Sequence, residues 1–274
     1  MRKISISRIF IYIFLTIGAV TMIFPFYWMF SSALKTASET ASFPPIWFPS
    51  SFQFSNFSKA WSYAPFGQYF INSLVVTISS VSLTMFTTIL AAFAFSRLKW
   101  NGRDTIFTLI LALMMVPFEM LVITNFQTIA KIGLSDNIIA LIIPFTSSIF
   151  YTYILRNFFL SIPDALYYSA RIDGASNWQY LWRIMVPIAK PSIVTIVLLN
   201  AIVSWNSFMW PLLVINSKAN RTLPLGLYAF ITEAGTHFEL LMAASTIIVI
   251  PVIILFLIAR KNIVNGVARG GIKG

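Results

Sequence analysis

Long apolar runs, each about as long as a bilayer is wide, alternate with short polar stretches through this 274-residue chain. A helix needs roughly 20 mostly apolar residues, rising about 1.5 Å apiece, to cross a membrane. Six runs qualify, at about 9–32, 70–96, 106–126, 138–159, 192–215 and 240–259. They predict an all-α membrane protein, a bundle of about six transmembrane helices forming a single domain over 1–274. Prolines fall inside several runs, at Pro25, Pro117, Pro144, Pro211 and Pro251. Bundled membrane helices tolerate them because neighbours satisfy the freed backbone groups. Arg2, Lys3 and Arg8 precede the first run as in a signal peptide, but the run is too long for a signal core. No small-x-small cleavage site follows it, so an uncleaved span is expected.

Composition agrees with the pattern. The chain is 58% hydrophobic and 10% charged, whereas a soluble domain carries about a quarter charged residues. The net charge of +11 would suit nucleic acid, but its distribution gives another reason for it. With a cytoplasmic N-terminus, the inner segments hold Arg2, Lys3, Arg8, Arg97, Lys99, Arg103, Arg156, Arg171, Arg183, Lys190, Arg260, Lys261, Arg269 and Lys273. The outer segments hold only Lys35, Lys59, Lys131, Lys218 and Arg221. The positive-inside rule then places both termini in the cytoplasm, and no nucleic-acid partner is needed. There is no cysteine, hence no disulfide or thiolate chemistry. The one histidine, His237, is too few for a histidine metal site.

This orientation makes 160–191 the longest cytoplasmic loop. Ser161-Ile162-Pro163-Asp164 predicts a helix start, and the helix runs to Ile172. Gly174 can take the left-handed conformation of a helix end. Ser176 and Gln179 form a capping box for a second helix, which Pro187 ends. Trp178, Leu181, Trp182 and Met185 recur at i, i+3, i+4 and i+7 as one apolar stripe. Asp173 stands where the second helix's dipole favours a carboxylate. Two readings stand: an amphipathic linker on the membrane surface, or a rigid helix–Gly–helix element shaped to dock in another protein's cleft.

Ile162-Pro163 through Leu166, then Ala170-Arg171-Ile172-Asp173-Gly174-Ala175-Ser176, then Pro187 and Pro191, resemble the cytoplasmic EAA loop of ABC-importer permeases. Asn72-Ser73, the run Ala91–Arg97, Trp205-Asn206 before Trp210-Pro211 and the ending 266–274 are similar to the maltose-type carbohydrate branch, so the resemblance covers nearly the whole chain. It implies a permease subunit that pairs with a second permease, two ATPase subunits and an extracytoplasmic solute-binding protein. ATP and Mg would be bound by the ATPases, with no cofactor in this chain. Sugar or oligosaccharide is the implied solute, and glycerol phosphate the alternative.

The resemblance implies coupling to the ATPase through Leu166, Tyr167, Tyr168, Ala170, Asp173, Gly174 and Ala175, and a tail reaching the ATPases through Gly270, Gly271 and Lys273. Tyr168 and Ser169 stand where the motif has glutamate and its first alanine, and Tyr167 replaces a commonly acidic neighbour. Docking should therefore rest more on packing than on charge. No glycine-rich phosphate loop ending in Gly-Lys-Ser/Thr occurs. Neither a nucleophile–base pair nor a metal constellation marks an enzyme. Internal repeats and several buried charges, which would mark a secondary transporter, are also missing.

Substrate-path candidates come from the residues themselves. Glu119, inside the third run, is a functional candidate or a structural carboxylate. Asn200, Ser204 and Ser207 fall on one helix face, to line a polar path or to pack helices. Trp205 and Trp210 offer rings for stacking on a sugar, or sit as ordinary interfacial aromatics. The segment 33–69, with Pro44-Pro45, Pro49, Trp47 and Trp61, reads as an ordered external stretch, either a surface for the binding protein or a lid.

Overall fold

The computed structural model describes residues 6–232 and 235–271. It is helical almost throughout. The long elements are α1 (Ile6–Ala33), α2 (Phe66–Ser96), α3 (Arg103–Met115), α4 (Phe118–Lys131), α5 (Ile139–Phe145), α6 (Ile149–Ser161), α7 (Asp164–Ile172), α8 (Asn177–Ile188), α9 (Lys190–Trp205) and α10 (Phe238–Gly271). A two-residue antiparallel pairing, Ile231–Thr232 with Gly235–Thr236, is the β structure among the described residues.

Three helices are singly long and apolar enough to cross a membrane: α1, α2 and α10. Three bent pairs raise the number of candidate spans to six: α3 with α4 at 95°, α5 with α6 at 44°, and α8 with α9 at 79°. The third run thus departs from a continuous 106–126 helix. Pro117 has no N–H to give and its ring disfavours helical geometry in the residue before it. Val116 accordingly turns extended, at φ −87° and ψ 111°, and α4 starts afresh. The fifth run departs likewise: α9 stops at Trp205, and a separate turn of helix, Met209–Val214, carries Pro211.

By internal packing the chain divides into two units, Met1–Gly67 with Gly226–Pro251, and Gln68–Leu225 with Val252–Gly274. In the first unit, the stretch after α1 is pinned by polar contacts. The Asn56 side-chain amide donates to the Ala33 and Lys35 carbonyls at 2.9 and 2.8 Å, closing orphan acceptors at the helix end. Lys35 is 1% exposed; its ammonium donates to the Ile46 carbonyl at 2.6 Å and lies 4.1 Å from the Trp28 ring centroid. Burial pushes its pKa down, against the pull of Glu39.

The Ser50 hydroxyl and the Thr36 and Ser50 amides hold the Glu39 carboxyl at about 2, below its ordinary 4.5. A depressed carboxylate stabilises fully above the unfolded value and loses that contribution as pH falls through the folded one. Exchange of the Ser50 amide, corrected for its intrinsic rate, is therefore expected to speed up as pH drops from 4.5 toward 2. Glu39→Gln should remove the dependence; an unchanged profile in that variant would show that other groups hold the loop.

The second unit has two cores. One packs Ile89, Phe93, Leu155, Phe159, Tyr180 and Met185 beneath the 160–191 loop. The other packs Val76, Ile129, Leu141, Trp210 and Val214, and Val76, Leu141 and Trp210 of it also line a small cavity.

Candidate functional site

The loop forms because each break in it has a local cause. Ser161 closes α6, its hydroxyl donating back to the Phe158 carbonyl at 2.7 Å, instead of capping the next helix. Ile162 precedes a proline and is extended, at φ −74° and ψ 130°. α7 then begins at Asp164. It ends in a Schellman motif, with the Gly174 amide on the Arg171 carbonyl at 3.2 Å and the Ala175 amide on the Ala170 carbonyl at 2.9 Å. Gly174 has φ +81°, in the left-handed region. The capping box forms: the Gln179 amide donates to the Ser176 hydroxyl, and the Gln179 side chain accepts from the Ser176 amide. Leu181–Met185 then widens to π-helical pairing, which the sequence did not predict. The widening lies directly ahead of Pro187, whose ring would clash with the carbonyl four residues earlier in a regular helix. The helix continues one residue past that proline, to Ile188.

The predicted coupling residues face two ways. Leu166 and Tyr168 point outward, at 42% and 52% exposed, and Asp173 and Gly174 form the exposed tip. Ala170 is buried in the core below, and Ala175 packs against that core. Tyr167 also turns inward. Its ring meets Tyr180 edge-on at 5.0 Å and its hydroxyl donates to the Asn177 side-chain carbonyl at 2.9 Å. Ile172, at 86%, and Trp178 extend the outer apolar face. Sequence reasoning missed Ile172, although its place four residues after Tyr168 on one helix face was legible. Gly270 and Gly271 end α10; Lys273 lies outside the described residues.

The second site is a cavity of about 70 Å³, with Ser80, Asn200, Ser204, Ser207, Trp210 and Thr222 on its walls. It brings together the Asn200, Ser204 and Ser207 stripe even though Ser207 lies beyond the end of α9. Ser80 from α2 and Thr222 from the loop that follows Met209–Val214 were missed. The signal for Ser80 was a polar line along α2, through Asn72, Ser73, Thr77, Ser80, Thr84 and Thr88, every one of them buried. Part of this line is committed: the Asn72 amide donates to the Ala219 and Arg221 carbonyls, and the Thr84 hydroxyl to the Phe145 carbonyl. Ser80 Oγ, Asn200 Nδ2 and Thr222 Oγ1 are buried with no hydrogen-bond partner among the described residues. Such orphans cost about 1–3 kcal/mol each unless water or a ligand meets them.

The other candidates stand elsewhere. Glu119 is exposed in the first turn of α4, off the cavity wall. Trp205 is buried edge-on against Phe70 at 5.8 Å, also off the wall. Trp210 does line it, but its indole N–H is spent on the Ala140 carbonyl at 3.0 Å.

Residues 84–269 match the family described as the binding-protein-dependent transport system inner membrane component. The chain belongs to this family. It is similar to the arabinooligosaccharides transport system permease protein AraQ of Bacillus subtilis, 31% identical over 99% of this chain and 98% of that one. It is also similar to the sn-glycerol-3-phosphate transport system permease protein UgpE of Yersinia pestis, 29% identical over 94% and 95% of the two chains. A crystal structure of a bacterial ABC transporter involved in import of the acidic polysaccharide alginate matches with a TM-score of 0.83 and 26% identity, covering 95% of this chain and 99% of its own. The permease is thus a multi-pass protein of the cytoplasmic membrane and the transport component of an ABC importer. It is not an enzyme, and its family carries no cofactor of its own.

Proposed function

We propose that this permease imports an uncharged, hydroxyl-rich solute, a sugar or oligosaccharide, and couples that movement to ATP hydrolysis through the loop 160–191. In this reading both termini and the loop are cytoplasmic. A second permease completes the path, two ATPase subunits bind ATP and Mg beneath it, and an extracytoplasmic binding protein delivers the solute. The observation that carries the substrate class is the cavity wall. Its orphaned donors and acceptors are all neutral, and no charged side chain lines it among the described residues. A phosphate or carboxylate solute would call for a cation there; hydroxyls need only such groups. The cavity's volume of about 70 Å³ falls below the ~150 Å³ of cavities that admit a benzene ring. It would hold water until the path opens, and the same groups would then meet sugar hydroxyls. Glu119 and Trp205 stand off this wall.

The outer face of Leu166, Tyr168, Ile172 and Trp178, with the Asp173–Gly174 tip, is the docking surface in this scheme, while Tyr167, Ala170 and Ala175 support it from beneath. The test is uptake by the assembled complex in vesicles, with neutral oligosaccharides set against glycerol phosphate. Neutral uptake is expected, with Asn200→Leu cutting it several-fold while assembly is retained. Uptake of glycerol phosphate alone would overturn the substrate class.

A further inference from the structure

Arg97 follows α2 directly, and its side chain is only 4% exposed. It points into the connection between α6 and α7. Nη2 donates to the Phe159 carbonyl at 2.6 Å and to the Ile162 carbonyl, and Nη1 donates to the Asp164 carboxylate. Those acceptors are the last turn of α6, the extended link and the first residue of the coupling helix. One planar guanidinium therefore keys all three to the end of α2, a fixed fork that an ammonium could not reproduce. Phe93, one turn earlier on α2, packs on Tyr180, which in turn packs on Tyr167. The final turn of α2 is thus the seat for the starts of both helices of the loop.

α2 is suited to carry a displacement. Of the three singly spanning helices, α1 and α10 contain Pro25 and Pro251, and α2 contains no proline. Ser80, on the cavity wall, lies on the same helix some 25 Å from Arg97 at the usual rise per residue. We propose that Arg97 is the positioning residue that makes the coupling loop and α2 move as one body, so that a push on the loop is delivered to the polar cavity. This rests on the reading that the loop docks an ATPase.

The chain has no cysteine, so spin labels can be placed at Lys99→Cys and Ser169→Cys, two exposed positions flanking the clamp. In the assembled complex with Arg97 intact, the distance distribution is expected to be narrow and unchanged between the nucleotide-free and ATP–vanadate states. Arg97→Gln should broaden it and make it nucleotide-dependent, with more ATP hydrolysed per solute imported; Arg97→Lys should restore it in part. Asp164→Asn, which alters only the exposed acceptor, should broaden it less. Arg156→Gln is the control: Arg156 ties α6 to Phe95 and Asp104 without touching the α7 turn. It should lower thermal stability without broadening. An unchanged distribution in Arg97→Gln, or equal broadening in Arg156→Gln, overturns the proposal. The nucleotide-free arm reads the clamp without any ATPase motion, so a failure of the docking reading would show separately, as a distribution that depends on Arg97 in a loop that binds no ATPase.

Discussion

Gly174→Val is expected to abolish coupled transport while the spans insert and the protein accumulates in the membrane as wild type does. The residue holds φ +81°, a conformation that costs a residue with a Cβ roughly 1–2 kcal/mol and a β-branched one more. Sterics beyond the backbone do not contribute: a Cβ at Gly174 would meet nothing within 4 Å. The strain is therefore relieved by opening the Schellman closure, which frees the Ala170 and Arg171 carbonyls and changes the angle at which α8 leaves α7. The exposed tip moves while the buried residues beneath it stay. Membrane expression, ATPase co-purification and solute uptake measured together check this. Wild-type uptake would show that the angle between the two helices is not used. Gly174→Asn, which tolerates the left-handed region better, should retain more uptake than valine.

The second large effect is expected at the outer face of α7. Tyr168→Ala and Ile172→Asp should each weaken association with the ATPase, and the pair together should abolish it. Burying a large apolar side chain is worth about 2 kcal/mol, whereas an exposed ion pair is worth roughly 0–1. With tyrosine in the motif's glutamate position, the contact should also be insensitive to salt, because screening acts on charges rather than on apolar area. Tyr168→Phe should bind nearly as wild type. Complex stability in detergent across a salt series decides the matter: steep loss of wild-type binding at high salt, or full binding by Tyr168→Ala, would show that charge elsewhere on the loop carries the contact. Tyr167→Phe tests a different role, since its hydroxyl serves Asn177 inside the loop. It should loosen α7 against α8 with little loss of binding surface.

The apolar run lengths determined the class of protein, the stretches that hold its six candidate spans and the polar loop 160–191 between two of them. Chain-local chemistry also determined the caps of that loop, because Gly174, Ser176 and Gln179 act through their own backbone neighbours. The distribution of lysine and arginine set the expected orientation. Four features needed the tertiary structure. Proline marked where a span could break but not whether or how far it does: α1 and α10 run on through Pro25 and Pro251, while the 95° turn at Pro117 depends on what each arm packs against. Tyr167 and Tyr168 are adjacent and chemically alike, yet one faces in and the other out, because helix geometry sends neighbours about 100° apart and only the fold says which side Tyr180 occupies. The cavity joins Ser80, Asn200 and Thr222 from segments far apart in the chain, and no local period can pair residues across that distance. Arg97 was counted in the sequence as one more inner-side cation. Only the path of the chain from α6 into α7, which sets two carbonyls and a carboxylate around its guanidinium, makes it a clamp.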